Sequence, residues 1–539
     1  MELQLESELN ASAFPEVGRP TAAYRRGDGE FVALSGAFGS PSWYARSAGW
    51  CRPFLHRLCL YDGNLKNRIA ICDEPEFPVN DVAFHPSRPI LAIATGSYDG
   101  GYMFEGDLWL WNWESGETAN LLKESREVAR CRFDAEGKLS VLLRPRNEEE
   151  FGTFDDEVVW QQFVGIVIDD FRDRGARERR FGEPDPRLKD LPLVKPGDFG
   201  FVQSPKRHEE QRDEALFLLE STGKFEQRAI ARDFAWIDDE RIGCVHDHCL
   251  VEVWNTRDAR RERIERGEGC GVQIFGGPDS PLINVLTRGF EAGRSYQRST
   301  IFELTPSDLR EIRGFDRAVA MSRDRSGNFL CRGARISADA KQNPKFDVVL
   351  NAAFEELFAG DLGHYDPFNH YIRIDDTGEL LFLRSSPPDS VKHKKLCTVS
   401  ASGDIDERCA WDTDGEHRMC STARAGPDGS LFASFEIHHP EPGKGKFQIV
   451  KREFRSGRTI WVVSVSDLVG AMALVGDSSL VFALNDGTLG VIDTERGQIA
   501  HQHRVIIDGV ATVPLSLAAK GSTIAVGTLD GRILLYQLR

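Results

Sequence analysis

The sequence predicts an all-β fold built from repeated four-stranded antiparallel units, and three observations lead to this prediction. Apolar runs of strand length recur along the 539 residues and are separated by short polar turns. The 50 glycines fall mostly in regularly spaced turns rather than in one low-complexity tract. Hydrophobic residues make up 41% of the chain, which is enough to form sizeable cores.

The clearest unit runs from Val79 to Leu122. Its first strand, NDVAF, leads through the turn HPSRP into ILAIATG, and after a loop DLWLWNW turns at ESGE into TANLLK. Comparable first turns carry Asp and Gly in FDAEGKL, RDRSGNF, IDDTGEL and GPDGSL. Asp bonds to its own backbone and Gly accepts a positive φ, so both suit a tight hairpin between two strands.

Ten such units follow one another along the chain. They start near residues 19, 77, 127, 231, 269, 317, 369, 418, 470 and 510. Four-stranded units at roughly 45-residue spacing are typical of the blades of a β-propeller, in which neighbouring blades cover each other's faces. We therefore predict that residues 1–539 form a β-propeller. One large ring, a ring of seven or eight blades with extra hairpins, and two smaller rings all remain open at this stage.

The unit from Val79 to Glu117 resembles the repeat of the WD40-repeat β-propeller family. HPSRP stands where such repeats usually carry a Ser-Pro-Asp-Gly turn, and LWLWNW stands where they carry the Trp-Asp strand. Asp-Gly pairs after second strands, at 99–100, 486–487 and 530–531, also match. The resemblance covers most of the chain with degenerate motifs. It implies a WD40-like propeller that binds other proteins.

The two ends of the sequence suggest how a ring would close. The last unit supplies the strands PLSLAAK, STIAVGTL and RILLYQLR and is one strand short. The segment ELQLE within residues 1–9 alternates like a strand and belongs to no other unit. We expect residues 1–9 to pair as the outer strand of the final unit, so that no edge is left open. An unpaired N-terminal tail is the alternative.

Connections between the second and third strands of a unit are predicted to be long in many units, whereas the other turns stay short. In an antiparallel unit these connections emerge on the same side as the links between units, so one face would be elaborated for binding. Its aromatic and arginine residues are of the types that dominate protein-binding hot spots. The candidate partner-binding residues here are Trp43, Tyr44, Arg46, Trp50, Arg52, Tyr102, Phe104, Phe290, Arg294 and Tyr296. The alternative is that these rings pack each loop onto its own unit.

The segment 144–213 is predicted to be a long inter-strand insertion. It opens with an acidic stretch, passes through an apolar run at 158–168 and continues into five arginines, Arg172, Arg174, Arg177, Arg179 and Arg180. One interpretation is a docking arm whose arginines meet an acidic surface of a partner. The other is a solvated loop, because charge runs usually face water.

No enzyme motif is found in the sequence. A GxSxG nucleophile elbow is absent, and STGKF at 221–225 lacks the upstream glycine and the Ser or Thr of a phosphate loop. We therefore predict no catalytic residues and no cofactor. The nearest approach to a metal motif is Cys244, His246 and His248, which would share one face of a regular strand. A structural turn explains the same residues.

The charge and the cysteine pattern narrow the class of protein. A net charge of −17 disfavours general binding to nucleic acids or anionic membranes, which need a basic surface. No signal peptide or membrane-spanning apolar run is visible. The 11 cysteines are scattered within apolar runs, as expected of reduced thiols. These features predict a soluble cytoplasmic protein.

The function expected from this sequence is a non-enzymatic scaffold or adaptor for protein–protein interaction, using the long-loop face. The alternative is a propeller hydrolase or lyase, with residues from several units converging on the central channel. A third interpretation is a subunit that contacts nucleic acid through the arginines at 172–180 within a larger complex. Acidic or histidine clusters at the channel mouth would favour the enzyme.

Overall fold

The computed structural model is all-β, with one α-helix among the residues it describes, and this confirms the predicted fold class at that level. The structure describes residues 1–11, 13–38, 55–98, 104–145, 163–168, 188, 191–201, 206–227, 230–246, 249–275, 281–291, 294–305, 308–316, 318–333, 347–363, 373–375, 378–385, 394–411, 418–419, 422–437, 440 and 445–539. The chain divides into two compact units. The three-sheet unit comprises 12–38 and 52–227, and the seven-sheet unit comprises 1–11, 39–51 and 228–539.

The three-sheet unit contains sheets 1 to 3, each of four antiparallel strands. Sheet 1 consists of Arg19–Arg25, Phe31–Ala37, His56–Asp62 and Arg68–Cys72. Sheet 2 consists of Val79–Phe84, Ile90–Thr95, Leu108–Asn112 and Thr118–Asn120. Sheet 3 consists of Val128–Phe133, Leu139–Leu143, Phe163–Ile168 and Leu193–Val194. The unit also holds the two-stranded hairpin Ser97–Tyr98 with Phe104–Glu105, the helix α1 at Arg207–Ser221, and 3-10 helices at Pro15–Val17 and Pro196–Phe199.

The seven-sheet unit contains sheets 4 to 10, of which sheets 4, 5, 6, 9 and 10 have four strands. Sheet 4 consists of Ala231–Trp236, Arg241–His246, Cys249–Asn255 and Arg260–Glu265. Sheet 5 consists of Cys270–Phe275, Leu282–Glu291, Arg294–Leu304 and Leu309–Asp316. Sheet 6 consists of Ala318–Arg323, Phe329–Gly333, Asp347–Leu350 and Glu356–Gly360.

Sheets 7 and 8 depart from the four-stranded pattern. Sheet 7 has only Leu381–Ser385, Lys394–Val399 and Ile405–Ala410. The strand that precedes it in the chain, Arg373–Asp375, instead pairs in parallel with Thr422–Ala425 of sheet 8. Sheet 8 therefore has six strands: Arg373–Asp375, Arg418–Met419, Thr422–Ala425, Ser430–Ile437, Phe447–Glu453 and Thr459–Val465.

The last two sheets bring the ends of the described chain together. Sheet 9 consists of Val469–Val475, Ser479–Leu484, Thr488–Asp493 and Gln498–Arg504, and the small hairpin Ile506–Ile507 with Val510–Ala511 follows it. Sheet 10 consists of Pro514–Lys520, Thr523–Thr528, Ile533–Leu538 and Leu3–Glu8. The N-terminal strand pairs antiparallel with Ile533–Leu538, from Leu3 opposite Leu538 to Glu8 opposite Leu534.

Each sheet of the seven-sheet unit shares an apolar core with the next sheet. One core joins sheets 4 and 5 through Val251 and Ile283, and similar cores join every successive pair up to sheets 9 and 10. A further core packs Ile533 and Leu535 of sheet 10 against Phe234 and Ile242 of sheet 4. The seven cores therefore link the seven sheets in a closed cycle.

In the three-sheet unit neighbouring sheets also share apolar cores, but other elements cover the outer faces of sheets 1 and 3. Cores join sheet 1 to sheet 2 and sheet 2 to sheet 3. The other face of sheet 1 is covered by α1, whose Ala215, Leu218 and Leu219 are buried against Val32 and Cys59. The other face of sheet 3 packs on residues around the 3-10 helix at Pro196–Phe199.

A bulge recurs near the start of the first strand in eight of the described sheets, namely 1 to 6, 9 and 10. The residue just after the bulge is Asp81 in sheet 2, Asp233 in sheet 4 and Ser516 in sheet 10. Each of these side chains bonds to the first strand of the neighbouring sheet: Asp81 accepts from Cys131 N at 3.1 Å, Asp233 accepts from Ile274 N at 2.7 Å, and Ser516 donates to Ala231 O at 2.6 Å. The shared position of the bulge shows that these sheets have the same repeated structure.

Two parts of the predicted organisation are wrong. The strand–turn–strand pattern of ALFLLESTGKFEQRAI predicts a β-hairpin, but Arg207–Ser221 is helical. Three apolar residues spaced three and four apart bury one helix face, and Gly223, with φ of 65°, lies just past the helix end. The segment 144–213 is not one insertion, because Phe163–Ile168 and Leu193–Val194 are the third and fourth strands of sheet 3.

Candidate functional site

Long connections are concentrated at one edge of the sheets. In the four-stranded sheets, turns between first and second strands span two to six residues, whereas connections between second and third strands reach 18 residues at 38–55, 19 at 144–162 and 13 at 334–346. In an antiparallel sheet the second-to-third connection lies at the edge where the chain enters and leaves the sheet. We call this the long-connection edge of each sheet.

Third-to-fourth connections are at the opposite edge, and nearly all of them are short. They span four or five residues in sheets 1, 2, 4, 5, 6 and 9 and five residues between the last two strands of sheet 8, whereas 24 residues at 169–192 separate the two strands of sheet 3. The arginines of the predicted docking arm therefore belong to a third-to-fourth connection of sheet 3. The strand end from which this connection starts, Ile168, is at the opposite edge of sheet 3 from the long-connection edge.

Most of the predicted partner-binding residues lie outside the described part of the chain. This is true of Trp43, Tyr44, Arg46, Trp50, Arg52, Tyr102, Arg172, Arg174, Arg177, Arg179 and Arg180. Phe104 is described, and its side chain is only 1% exposed. It is therefore a core residue of the three-sheet unit rather than a ring offered to a partner.

The candidates in sheet 5 lie on strands rather than in a loop. Leu282–Glu291 and Arg294–Leu304 remain paired as far as Glu291 opposite Arg294, which leaves only residues 292–293 as the connection. The positions Phe290, Arg294 and Tyr296 are therefore part of a two-stranded extension. The sequence does not predict this longer strand pairing, because the polar residues of the segment are typical of a loop.

One cluster of potential metal ligands is present among the residues that the structure describes. One ligand atom each from His246, Cys249 and Glu252 all lie within 4.8 Å of one another, and all three residues are about 5% exposed. His246 ends the second strand of sheet 4, and the other two lie on the third strand. The cluster is thus at the long-connection edge of sheet 4.

Polar neighbours hold the carboxylate of Glu252 in place. Trp254 Nε1 donates to Oε2 at 2.8 Å, and Arg261 Nη1 donates to Oε1 at 3.0 Å. His246 Nε2 lies 3.3 Å from Oε2. The charge of this buried carboxylate is therefore balanced by a guanidinium, and its orientation is fixed.

The metal candidates predicted from sequence are only partly brought together. His246 belongs to the cluster, but Cys244 faces the core shared by sheets 4 and 10, and His248 lies outside the described residues. The bulge beside these two residues lies on the third strand, which has one residue more between Cys249 and Glu252 than the second strand has between Cys244 and His246. Sequence reasoning missed Glu252, because strand pairing rather than sequence proximity brings it to His246.

The remaining described thiols have the properties of core residues. Eight cysteines are free of disulfides, and seven of them are buried. Burial raises the pKa of the Cys131 and Cys331 thiols well above the ordinary range, which keeps them protonated. Neither thiol is therefore activated as a nucleophile.

An exposed aromatic residue was also missed by sequence reasoning. Phe217 on α1 is 71% exposed, the most of any large hydrophobic residue that the structure describes. Asp213, Glu214 and Glu220 are exposed on neighbouring turns of the same helix. Its exposure could not be predicted from the sequence, because the apolar run ALFLLES favours a strand, and a strand would place Phe217 within a sheet.

In comparison with known proteins, no family model and no curated protein sequence matches the chain. The class that the structure defines is an all-β protein of repeated antiparallel sheets. Among the helices in the described residues, none is long and apolar enough to cross a membrane.

Proposed function

We propose that the protein is a non-enzymatic scaffold for protein–protein interaction, built on a WD40-like β-propeller whose long-connection edge binds the partner. The seven-sheet unit would be a seven-bladed propeller, closed by the N-terminal strand in sheet 10. The closed cycle of shared cores and the pairing of Leu3–Glu8 support this arrangement. The three-sheet unit would be three further blades carried within the chain.

The observation that carries the functional proposal is the difference between the two edges of the sheets. In the four-stranded sheets, first-to-second turns never exceed six residues, whereas second-to-third connections in sheets 1, 2, 3 and 6 span 12 or more. Short turns suffice to connect antiparallel strands, so the longer segments serve no need of the fold. Elaborated loops on a rigid scaffold are where binding residues concentrate.

The first strands give no support to catalysis at the channel of such a propeller. Enzymes that use a channel bring carboxylates and histidines together there. The two described carboxylates just after the bulge, those of Asp81 and Asp233, instead accept backbone N–H bonds from the next sheet. Their role is to join neighbouring sheets.

The arginine-rich segment at 172–180 is proposed as a second contact, with a partner that presents an acidic surface. Arginine is suited to this role because its planar guanidinium binds carboxylates through two parallel hydrogen bonds. The arm and the long-connection edge would then contact different parts of the partner. Each contact can be tested separately.

The first experiment identifies partners by crosslinking and affinity purification, and then measures their affinity with purified components. One variant replaces residues 39–54 with a Gly-Ser linker of equal length. Its control inserts Gly-Ser residues into the short turn at 494–497, at the opposite edge of sheet 9. We expect at least tenfold weaker binding for the first variant and less than a twofold change for the control.

The second experiment reverses the charge of four arginines of the arm, Arg174, Arg177, Arg179 and Arg180, to glutamate. A matched control reverses four exposed arginines near short third-to-fourth turns, Arg257, Arg260, Arg310 and Arg458. Binding that weakens only in the arm variant, and more strongly at low salt, supports the second contact. Equal partner binding by all of these variants and the wild type would overturn the proposed function.

A further inference from the structure

The hairpin of sheet 4 gathers three different metal-ligating groups in a small buried space. His246 and Cys249 are paired across the second and third strands, and residues 247–248 connect them in the sequence. Glu252 lies farther along the third strand, opposite Cys244. Between these two pairs the third strand has one residue more than the second, so a bulge shifts the register there.

The geometry of the three groups suits a small tetrahedral ion. With metal–nitrogen and metal–oxygen bonds of about 2.0 to 2.1 Å, two ligand atoms of a tetrahedron are about 3.3 Å apart. His246 Nε2 and Glu252 Oε2 are 3.3 Å apart. The thiol sulfur of Cys249 lies within 4.8 Å of both groups, and a zinc–sulfur bond of about 2.3 Å would bring it to about 3.6 Å from them.

The ligand types favour zinc over other divalent ions. Imidazole, thiolate and carboxylate together form the mixed nitrogen, sulfur and oxygen set that Zn²⁺ accepts, whereas Mg²⁺ and Ca²⁺ prefer oxygen ligands alone. The surroundings also resemble those of a metal centre. Bonds from Trp254 and Arg261 orient the carboxylate of Glu252, as outer-shell partners of metal ligands commonly do.

We propose that His246, Cys249 and Glu252 bind one Zn²⁺ ion, with the fourth position taken by water or another group. The ion would tie the second strand of sheet 4 to the third at the long-connection edge. Binding requires loss of the proton from the Cys249 thiol, so uptake of the metal releases a proton. This site does not depend on the proposed scaffold function.

A metal-free explanation of the same residues makes different predictions. Glu252 would then serve only as the acceptor for Arg261, Trp254 and His246, and the Cys249 thiol would be a small core group. Under that explanation Cys249→Ser should leave the affinity of the protein for metal ions unchanged. Under the zinc site it should weaken affinity by at least one order of magnitude, as for loss of a ligand.

The experiment uses the full-length protein, stripped with a chelator and then loaded with ZnSO₄ or CoCl₂. We expect about one zinc per chain after removal of excess metal. Cobalt in the same site should give a thiolate-to-metal charge-transfer band in the near ultraviolet and visible bands typical of tetrahedral coordination. The cobalt spectrum is read on the wild-type protein, so it does not depend on whether a variant folds.

Variants identify the ligands. Cys249→Ser should abolish the charge-transfer band, and His246→Gln should lower the affinity for zinc by roughly 10- to 100-fold or more. Cys244→Ser is the matched control, since this buried cysteine lies in the same hairpin but outside the cluster, and its cobalt spectrum should be that of the wild type. Circular dichroism checks that each variant is folded.

Two results would overturn the zinc site. The first is a wild-type protein that retains no stoichiometric zinc and shows no thiolate band with cobalt. The second is a folded Cys249→Ser variant whose cobalt spectrum matches the wild type, which would place the metal elsewhere. Zinc bound equally by Cys249→Ser and Cys244→Ser would count against the proposal in the same way.

Discussion

At the scale of single residues, Asp81 shows how the sheets of the three-sheet unit are joined. Its carboxylate accepts hydrogen bonds from Arg207 on α1 and from Arg130 Nε on sheet 3, the latter at 2.9 Å. It also accepts from Cys131 N. The Asp81 side chain is nearly buried, and its negative charge balances the positive charges of two partly buried guanidinium groups of the same unit.

Replacing Asp81 should be costly for that reason. We expect Asp81→Ala to lower the free energy of unfolding by about 3 kcal/mol, because two partly buried cations lose their carboxylate and a buried N–H loses its acceptor. Urea-induced unfolding measures the change. The control is Glu136→Ala, an exposed acidic residue in the same unit, which should cost less than about 0.5 kcal/mol. A loss under 1 kcal/mol for Asp81→Ala would contradict the account.

The residue scale also shows a limit of sequence reasoning. The run NDVAF correctly predicts a strand that contains Asp81, because apolar residues flank it in a strand pattern. Nothing local shows that its partners are Arg130 and Arg207, 49 and 126 residues away. Likewise Glu252 joins His246 only through the strand register and the bulge, neither of which is set by spacing along the chain.

At the scale of elements, the N-terminal strand is held by more than its backbone ladder. Leu3 and Leu9 are buried in the cores on the two faces of sheet 10. Asn10 extends the attachment, because its Nδ2 donates to Gly531 O at 2.6 Å and its Oδ1 accepts from Ile533 N at 2.7 Å. The strand is thus an integral part of its sheet.

Deleting residues 1–9 should therefore lower the melting temperature and leave the strand Ile533–Leu538 as an open edge that promotes association between molecules. Calorimetry and light scattering measure the two effects. A synthetic peptide of residues 1–11 should restore the melting temperature when added in excess, and the same peptide with Asn10→Ala should restore less. An unchanged melting temperature after the deletion would show that the strand adds nothing to stability.

Elements with local signals were predicted well, and those decided by tertiary packing were not. Hairpins with Asp and Gly in their turns form at FDAEGKL, RDRSGNF and GPDGSL, since turn chemistry acts over a few residues, but the strands on either side of IDDTGEL pair with other strands. The run ALFLLES favoured a strand by its apolar density, yet sheet 1 offers a face that a helix covers. The strand Arg373–Asp375 was assigned to the unit that it precedes, but it pairs with sheet 8.

At the scale of the whole molecule, four histidines with lowered pKa values should make the protein sensitive to mild acid. Burial lowers the pKa of His56 to about 4, and it also lowers the pKa of His85, His208 and His503. Each of these rings gains a proton more readily in the unfolded chain, where its pKa is about 6.5. Their contribution to stability is present above pH 6.5 and is lost as the pH falls toward 4.

Three of these four histidines belong to the three-sheet unit, and this gives a test. Between pH 7 and pH 5, hydrogen exchange corrected for its intrinsic rate should accelerate more in peptides of sheets 1 to 3 than in those of sheets 4 to 10. His56→Gln should reduce the difference, because it removes the group whose pKa changes most. Equal acceleration in both units would contradict the assignment.

The ten-unit repeat was the part of the whole molecule that sequence could predict, because each unit carries its own turn signals. The division into seven and three sheets could not be read in the same way. It depends on which sheet faces share a core, and the apolar residues of all ten units look alike in sequence. The core shared by sheets 10 and 4 is what makes sheets 4 to 10 a closed cycle of seven rather than an open row.

The pairing of Leu3–Glu8 with Ile533–Leu538 also has a consequence for biosynthesis. A ribosome adds about 5 to 20 residues per second, so the first strand waits roughly half a minute to two minutes for its partner to emerge. The three-sheet unit, encoded between them, has all of its strands available long before. During translation Leu3 and Leu9, which are buried in the folded protein, stay uncovered until Ile533–Leu538 has been made, and exposed apolar residues of this kind are what chaperones bind.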